Sequence, residues 1–593
     1  MARRRKQLHA AGQELETPET PPGDSASAQR SFFATLLASI CVLAFFLRFM
    51  NVLQTIEVPT LVELLGDAKG YFDWAVKISD GDWYGTETFY QAPLYPYFLA
   101  VLIKIFGPSI TLIRVVQMLL GVAGVWLIGL AGRRLFSERI GLVSALMLAA
   151  YPPAIYYDGI IQKAAVATFL LCALIASCVY LQSEKRWWYA VMTGASLGLL
   201  VLARENALLW TPVIPIWILL ALRESNRHRW TLVGCYVGGL ALILLPVAAR
   251  NASLGGEWSP TTFQAGPNFY IGNNLQATGI YVPLVPGHGT PMYERADAER
   301  LAEQAVGHEL SAREVSQFWM SRSWQEIRQS PSRWLQLMLA KTFMVFNRYE
   351  VPDVESMYIF REYSAPLKLS RIWHFGILCP LGIWGVIATR RNWRKLWLYY
   401  LLLLTMIAAV VLFFILGRYR NPVAILIIPF AAAGAVDLFV RIKERKGQML
   451  RVAAVLLLSG ILCNIRVHEE RSLHASCSMN MGISACKAGN LPAGIQLLRS
   501  AIAEFPEMAE GYLNLGRAYM LNQQPDRAAR CFQNALILDP RLQGVHFQLG
   551  EALEYSGQRQ QAIEQYQRAL TENSSDARAR NALSRIRLPS PPG

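Results

Sequence analysis

Eleven apolar runs long enough to cross a bilayer occupy residues 31–465, and three soluble repeats of 34 residues follow over 477–578. So many runs near ~20 residues cannot all enter one soluble core, so the first part folds as a bundle of membrane helices. The runs lie at 31–50, 110–131, 139–156, 164–181, 187–203, 205–222, 230–249, 372–389, 395–416, 422–440 and 450–465. Two others, 94–106 and 335–346, are shorter, and each carries a lysine, Lys104 or Lys341. Thirteen helical residues reach roughly 20 Å, against a hydrocarbon core of ~30 Å.

Loop charge decides whether the short runs cross. With both left out, the amino terminus, Arg133-Arg134, Glu184-Lys185-Arg186, Arg223 to Arg229, Arg390 to Lys395 and Arg441 to Lys446 share one side. Counting only one as a crossing sends the later basic loops to the wrong face. This predicts eleven crossings, with the short runs lying at the outer surface or re-entering. Loops 51–93, 250–333 and 347–371 and the repeats at 474–588 then lie outside the cytoplasm. In a bacterial inner membrane that is the periplasmic face.

The chain is 53% hydrophobic with a net charge of +15. The excess belongs to loops retained in the cytoplasm and is not a nucleic-acid footprint. Nine cysteines show no CxxC or Cys/His zinc spacing and read as small apolar fillers. A basic and polar tail, 1–30, precedes the first run. That run is too long for a signal-peptide core and is expected to be a retained helix.

Gly482, Gly516 and Gly550 recur every 34 residues. Taken as position 8 of a tetratricopeptide repeat, they predict a small residue at 20, a large one at 24, Ala at 27 and Pro at 32. The second repeat supplies Ala528, Phe532, Ala535 and Pro540; the first, Gly494, Leu498, Ala501 and Pro506. The third supplies Ala562, Tyr566 and Ala569, with Ser574 in place of proline. Small residues admit close helix packing and aromatics fill the gap between helices. Residues 579–588 read as a capping helix. Such a solenoid binds a protein or peptide partner, or braces the membrane domain.

Ionisable residues at outer helix ends are the candidate site. Asp67 and Tyr71 are four apart and share a helical face. Asp158 follows Pro152-Pro153, with Lys163 five residues on. Arg250, Arg418 and Arg420 run against the charge trend; their coincidence on one face points to a substrate phosphate, the other reading being contact with lipid phosphates.

The order Asp67-x-x-x-Tyr71, Phe89-Tyr90-Gln91-Ala92-Pro93-Leu94-Tyr95-Pro96-Tyr97, Arg114 and Gln117 resembles the GT-C membrane glycosyltransferases. The bacterial relatives of protein O-mannosyltransferases and the lipid A aminoarabinose transferases are the nearest in pattern. Tyr151-Pro152-Pro153 with Lys163, Leu202-Ala203-Arg204, Arg250-Asn251, Asn268 to Asn274 and Gly417-Arg418-Tyr419-Arg420 agree with it, so the resemblance covers about 31–440. It implies transfer of a sugar from a polyprenyl-phosphate carrier to an acceptor hydroxyl, usually with inversion. Many members carry an Asp-Glu pair in the first loop; Asp67-Ala68 here lacks the second carboxylate.

The residues fit that chemistry independently. No Gly-rich nucleotide loop precedes a helix. Asp67 is the candidate base for the acceptor hydroxyl. Lys163, Arg204, Arg250, Arg418 and Arg420 are candidates to stabilise the leaving lipid phosphate. Tyr71, Tyr95 and Tyr97 line the carrier groove, stack on sugar or anchor helices. Asp158, Asn273 and Asn274 are further substrate-binding candidates, although 266–279 also reads as an ordinary turn. No metal-ligand cluster is visible, so a divalent metal has no assigned residues. The expectation is an all-α polytopic glycosyltransferase whose partners are the lipid-linked donor, membrane lipids and a protein or peptide on the repeats. Two other readings are a non-catalytic scaffold recruiting partners through the repeats and an envelope polysaccharide polymerase or ligase.

Overall fold

The computed structural model describes residues 22–255, 258–285, 291–444 and 449–587. Most of the basic tail expected over 1–30, and the last residues of the loop Arg441 to Lys446, lie outside the described residues. All regular structure among the described residues is helical.

Each of the eleven apolar runs is helical. Ser31–Gln54, Ile110–Leu135, Ala164–Glu184, Asn226–Gly255, Phe375–Leu412 and Gly417–Lys443 are long and apolar enough to span. Phe375–Leu412 takes in two of the expected runs, joined by a short 3-10 turn at Arg390–Asn392. The run 139–156 is a pair, Glu138–Ala149 and Pro152–Asp158, bent by 56°. Pro152 cannot donate to the ladder, and it forces Tyr151 out of the helical region (φ −76°, ψ 109°). Trp187–Ala203, Glu205–Ala221 and Met449–Asn464 are shorter. Among the described residues, length and apolarity thus qualify six spans, or seven with the bent pair, against the eleven expected from charge.

The helices start and stop where local chemistry dictates. Ser109 and Ser137 accept from the amides of Leu112 and Ile140, capping Ile110–Leu135 and Glu138–Ala149. Lys185, left-handed at φ 53°, closes Ala164–Glu184, the most enclosed span. Gly194 and Gly239 let Trp187–Ala203 and Asn226–Gly255 touch backbone to backbone; a Cβ at either would strike a carbonyl of the other helix.

The basic loops converge at one end of the bundle. Lys395 Nζ donates to the carbonyls of Arg134 (3.0 Å) and Leu135 (2.6 Å), Arg134 pairs with Glu184 (3.0 Å), and Lys185 with Glu224 (2.8 Å). Arg133 stands 4.3 Å over the ring of Phe33, so the first span begins at this end.

The opposite end carries the two short runs, the long loops and the repeats. Lys104 of helix Leu94–Phe106 donates to the Ser79 carbonyl (3.1 Å). Lys341, fully buried in helix Pro331–Phe346, donates to the carbonyls of Gly272 (2.6 Å) and Phe413 (2.5 Å). That helix turns Leu335, Leu339 and Phe343 outward. The stretch read as a turn at 266–279 is largely helical, as Ala265–Asn273.

The repeats form the expected helix pairs, from Glu470–Lys487 to a last helix Ala577–Arg587. A Cβ on Gly516 would lie 2.5 Å from the Phe532 ring and one on Gly550 2.6 Å from Tyr566, so positions 8 and 24 do meet. The repeats pack on the membrane domain. Asn480 Nδ2 donates to the Val354 carbonyl (2.9 Å) and Ser484 Oγ to the Pro59 carbonyl (2.7 Å). Cys477 and Met481 share a buried cluster with Leu61, Tyr156 and Phe360.

Candidate active site

Asp67 stands at the start of helix Gly66–Ser79, where the exposed amides favour a carboxylate. Gly66 precedes it at φ +53°, with the Val354 side chain occupying the space a Cβ would take. Only glycine meets both conditions, so this residue sets how Asp67 is presented.

Arg418 Nη1, from the first turn of Gly417–Lys443, forms an ion pair with Asp67 Oδ2 and a second with Asp353 Oδ2 at 3.0 Å. All three side chains are largely buried. The backbone holds them in register, since Gly417 N donates to the Val351 carbonyl (2.8 Å). Tyr71, one turn after Asp67, packs edge-on against Tyr95 at 5.4 Å. Tyr95 donates to Gln117 (2.6 Å), which donates to the carbonyls of Asp158 (3.2 Å) and Ile160 (2.7 Å). Arg114 donates to the Gly159 carbonyl (2.6 Å). These contacts fix the turn that delivers Gln162 and Lys163 towards Asp67.

Burial alone would raise the Asp67 carboxyl, but Arg418, with help from Lys163 and Gln162, holds it below the usual carboxylate range. Asp353 is raised, because burial and Asp67 outweigh the shared arginine. Burial lifts Glu355 to about 8, with Asp353 and Asp67 adding to the shift. Glu294 is lifted to about 7 by burial and Asp67. Burial lowers Lys163 from its ordinary value, with Arg418 and Arg204 adding to it. The cluster therefore keeps one carboxylate ionised beside several with strong proton affinity.

A small chamber of about 40 Å³ opens on Asp67, Tyr71, Lys163, Glu294, Asp353 and Arg418. It adjoins a cleft of about 640 Å³, and the two share Lys163, Gln264, Asn268, Phe414 and Tyr419. Lys163, Arg204 and Glu205 form the cleft's polar end, and Pro212, Val410 and Phe413 line its apolar length. Leu208, Leu209 and Leu412 are exposed along it, so it opens on the lipid-facing side.

The structure thus brings together Asp67, Tyr71, Lys163, Arg204 and Arg418. Arg204 also donates to the Arg418 carbonyl and lies 5.5 Å over the Tyr419 ring. Tyr95 supports the chamber from behind. The other candidates stand elsewhere. Arg250 donates to the carbonyls of Tyr84 (2.7 Å) and Glu87 (3.1 Å) and stacks 3.7 Å over Phe89, pinning the first loop. Arg420 is ion-paired to Glu350 and bonded to the Asn347 carbonyl. Asp158 is buried against Arg48 at 2.7 Å. Tyr97 donates to the Trp83 carbonyl. Asn273 ties Phe269 to Leu412 (both 2.8 Å), and Asn274 donates to the Tyr270 carbonyl (3.0 Å).

Sequence reading missed Asp353, Glu294, Gln264 and Asn268 as lining residues, and Glu355 as a carboxyl that Asp353 and Asp67 act on. The signal for two of them was present: Glu350, Asp353 and Glu355 crowd three carboxyls into six residues of an expected outer segment. Arg418 thus holds Asp353, a carboxylate from another part of the chain, beside Asp67. Among the described residues no group of three or more His, Cys, Asp or Glu side chains is arranged to hold a metal ion.

Fold and site define a polytopic helical membrane protein with a carboxylate chamber beside a lipid-facing cleft. Residues 90–249, 160 of 593, match the family described as dolichyl-phosphate-mannose-protein mannosyltransferase. Residues 509–542 and 547–588 match tetratricopeptide repeat families. Over residues 90–249 the chain is similar to the mannosyltransferase family, and it carries a C-terminal tetratricopeptide repeat domain.

Among solved structures, ArnT from Cupriavidus metallidurans bound to undecaprenyl phosphate is 14% identical. Its TM-score is 0.41, over 92% of this chain and 82% of that one. The oligosaccharyltransferase AglB from Archaeoglobus fulgidus, in complex with an inhibitory peptide and a dolichol-phosphate, is 14% identical with a TM-score of 0.43. It matches over 76% of this chain, which spans 58% of that enzyme's length. No curated protein matches the sequence.

Proposed function

We propose that the protein is a membrane glycosyltransferase that takes a sugar from a polyprenyl-phosphate donor and transfers it to an acceptor hydroxyl on the non-cytoplasmic face, with inversion. One observation carries this reading: the chamber around Asp67 and the large apolar cleft meet at Lys163. A polyprenyl chain suits the cleft, whose apolar lining continues to the lipid-facing side. Its phosphate then lies at Lys163 and Arg204, and the sugar points into the chamber.

In the reaction the acceptor oxygen bonds to the anomeric carbon while the bond from that carbon to the phosphate oxygen breaks. The acceptor proton passes to Asp67 Oδ, and the electron pair of the broken bond leaves with the lipid phosphate. Lys163 and Arg204 stabilise the growing phosphate charge. Asp67 has a low proton affinity, so it is ionised before the acceptor arrives and takes the proton as attack raises the acidity of the hydroxyl. Arg418 orients Asp67, and Asp353 anchors Arg418. Attack from the Asp67 side, opposite the phosphate, inverts the anomeric centre. Arg250 and Arg420 are read as structural, since their donors are taken up by the protein.

Transfer from a purified polyprenyl-phosphate sugar, measured in nanodiscs with wild type and Asp67→Asn, tests the proposal. Loss of transfer with normal folding supports it; wild-type rates in the variant overturn it. Mass spectrometry of envelope glycans and glycoproteins with and without the chain identifies the acceptor.

A further inference from the structure

A second cavity, about 480 Å³, lies where the membrane domain meets the repeats and shares no lining residue with the Asp67 chamber. The membrane domain contributes Arg348, Arg361 of helix Met357–Tyr363, Ser370 and Arg371 of the turn Pro366–Arg371, and His374 at the head of a span. The repeats contribute Arg471 and His474 from helix Glu470–Lys487.

Its charge is unbalanced by partnering rather than by count. Glu350 is consumed by Arg420 behind the wall, and Glu504 accepts from His474 Nδ1 at 2.6 Å. Glu470 is the remaining acid, facing four arginines. Arg348 and Arg471 make no ion pair or side-chain hydrogen bond with any described residue, whereas Arg361 and Arg371 lie near Glu362 at 3.2 and 3.8 Å. Ser370 is 6% exposed, yet its hydroxyl has no hydrogen-bond partner among the described residues, nor has the buried Nδ1 of His374. Buried polar groups are almost always satisfied, so unspent groups converging on one cavity call for a ligand rich in acceptor oxygens. The volume lies in the range of small-ligand sites.

We propose that this junction cavity binds a phosphate group, gripped by Arg348 and Ser370 from the membrane domain and by Arg471 from the repeats. A planar carboxylate is satisfied by one guanidinium fork, whereas a tetrahedral phosphate accepts from donors arriving on several sides. Ile372, 70% exposed, and the span that starts at Phe375 put the rim at the edge of the apolar layer. The phosphate is therefore that of an anionic lipid headgroup or free phosphate. Because its donors come from both domains, an occupied site couples the repeats to the membrane domain.

The test uses the full chain. In one arm, delipidated protein in detergent is titrated with inorganic phosphate at constant ionic strength, and thermal unfolding is followed. In the other, native mass spectrometry counts phosphatidylglycerol retained from nanodiscs. Wild type is expected to show saturable stabilisation by phosphate, retained phosphatidylglycerol, or both. The first alone assigns free phosphate; the second assigns the headgroup. The pair Arg348→Gln and Arg471→Gln should weaken the effect at least about tenfold. The pair Arg348→Lys and Arg471→Lys keeps the charge without the fork, so it should weaken binding less, and it serves as the comparison if the glutamine pair does not fold. Neither effect in wild type, or equal effects in wild type and a folded variant pair, overturns the proposal.

Discussion

In the proposed reaction Asp67 is the base, and its surroundings set what each substitution does. Asp67→Asn keeps shape and removes the base, so the transfer rate should fall by about 10²–10⁴ with thermal unfolding close to wild type. Lys163→Ala should lower the donor-dependent rate by about 10²–10³ through lost charge at the leaving phosphate. Arg250→Gln should instead lower the unfolding temperature with donor KM unmoved, since it frees the first loop. Glu355 provides a pH test. Its folded value of about 8 lies above the unfolded carboxyl value, so its charged form is disfavoured by folding. Its stability contribution is complete below the unfolded value and is lost as pH rises through about 8. Glu355→Gln should therefore unfold at a higher temperature than wild type at pH 9, with the gap shrinking towards pH 5.

At the scale of elements, the first repeat helix is part of the site's support. Asn480 holds the Val354 carbonyl, Val354 packs on Gly66, and Gly66 presents Asp67. Asn480→Ala should lower the transfer rate with donor KM little changed, because it loosens Asp353 and Asp67 and leaves the cleft intact. Steady-state kinetics in nanodiscs, with circular dichroism to verify the repeats, check this. Most elements were readable in advance because their signals are local. Apolar length marks the spans, a 34-residue period marks the repeats, and Pro152-Pro153 marks a helix boundary. The bend at that boundary was not anticipated, since apolar character runs on unbroken through the prolines.

For the whole molecule, the distribution of charge is the organising feature. The basic loops meet at one end, while Asp67, the arginines of the junction cavity and the repeats share the other. The charge rule predicts that the first end is cytoplasmic. Reporter fusions at Gly516 should read outside the cytoplasm, and a cytoplasmic signal there would invert the whole assignment.

Sequence by itself determined the segmentation: which stretches are apolar helices, where the repeats begin, and that Asp67 and Tyr71 share a helical turn. Those properties depend on periodicity and on neighbours a few residues apart. Packing alone decided that Asp353 joins Asp67 on Arg418, 351 residues from Asp67, and that Arg250 and Arg420 turn away to protein partners. An arginine at an outer helix end looks the same in sequence whether its donors meet substrate or a carbonyl. Only the geometry of distant segments distinguishes the two.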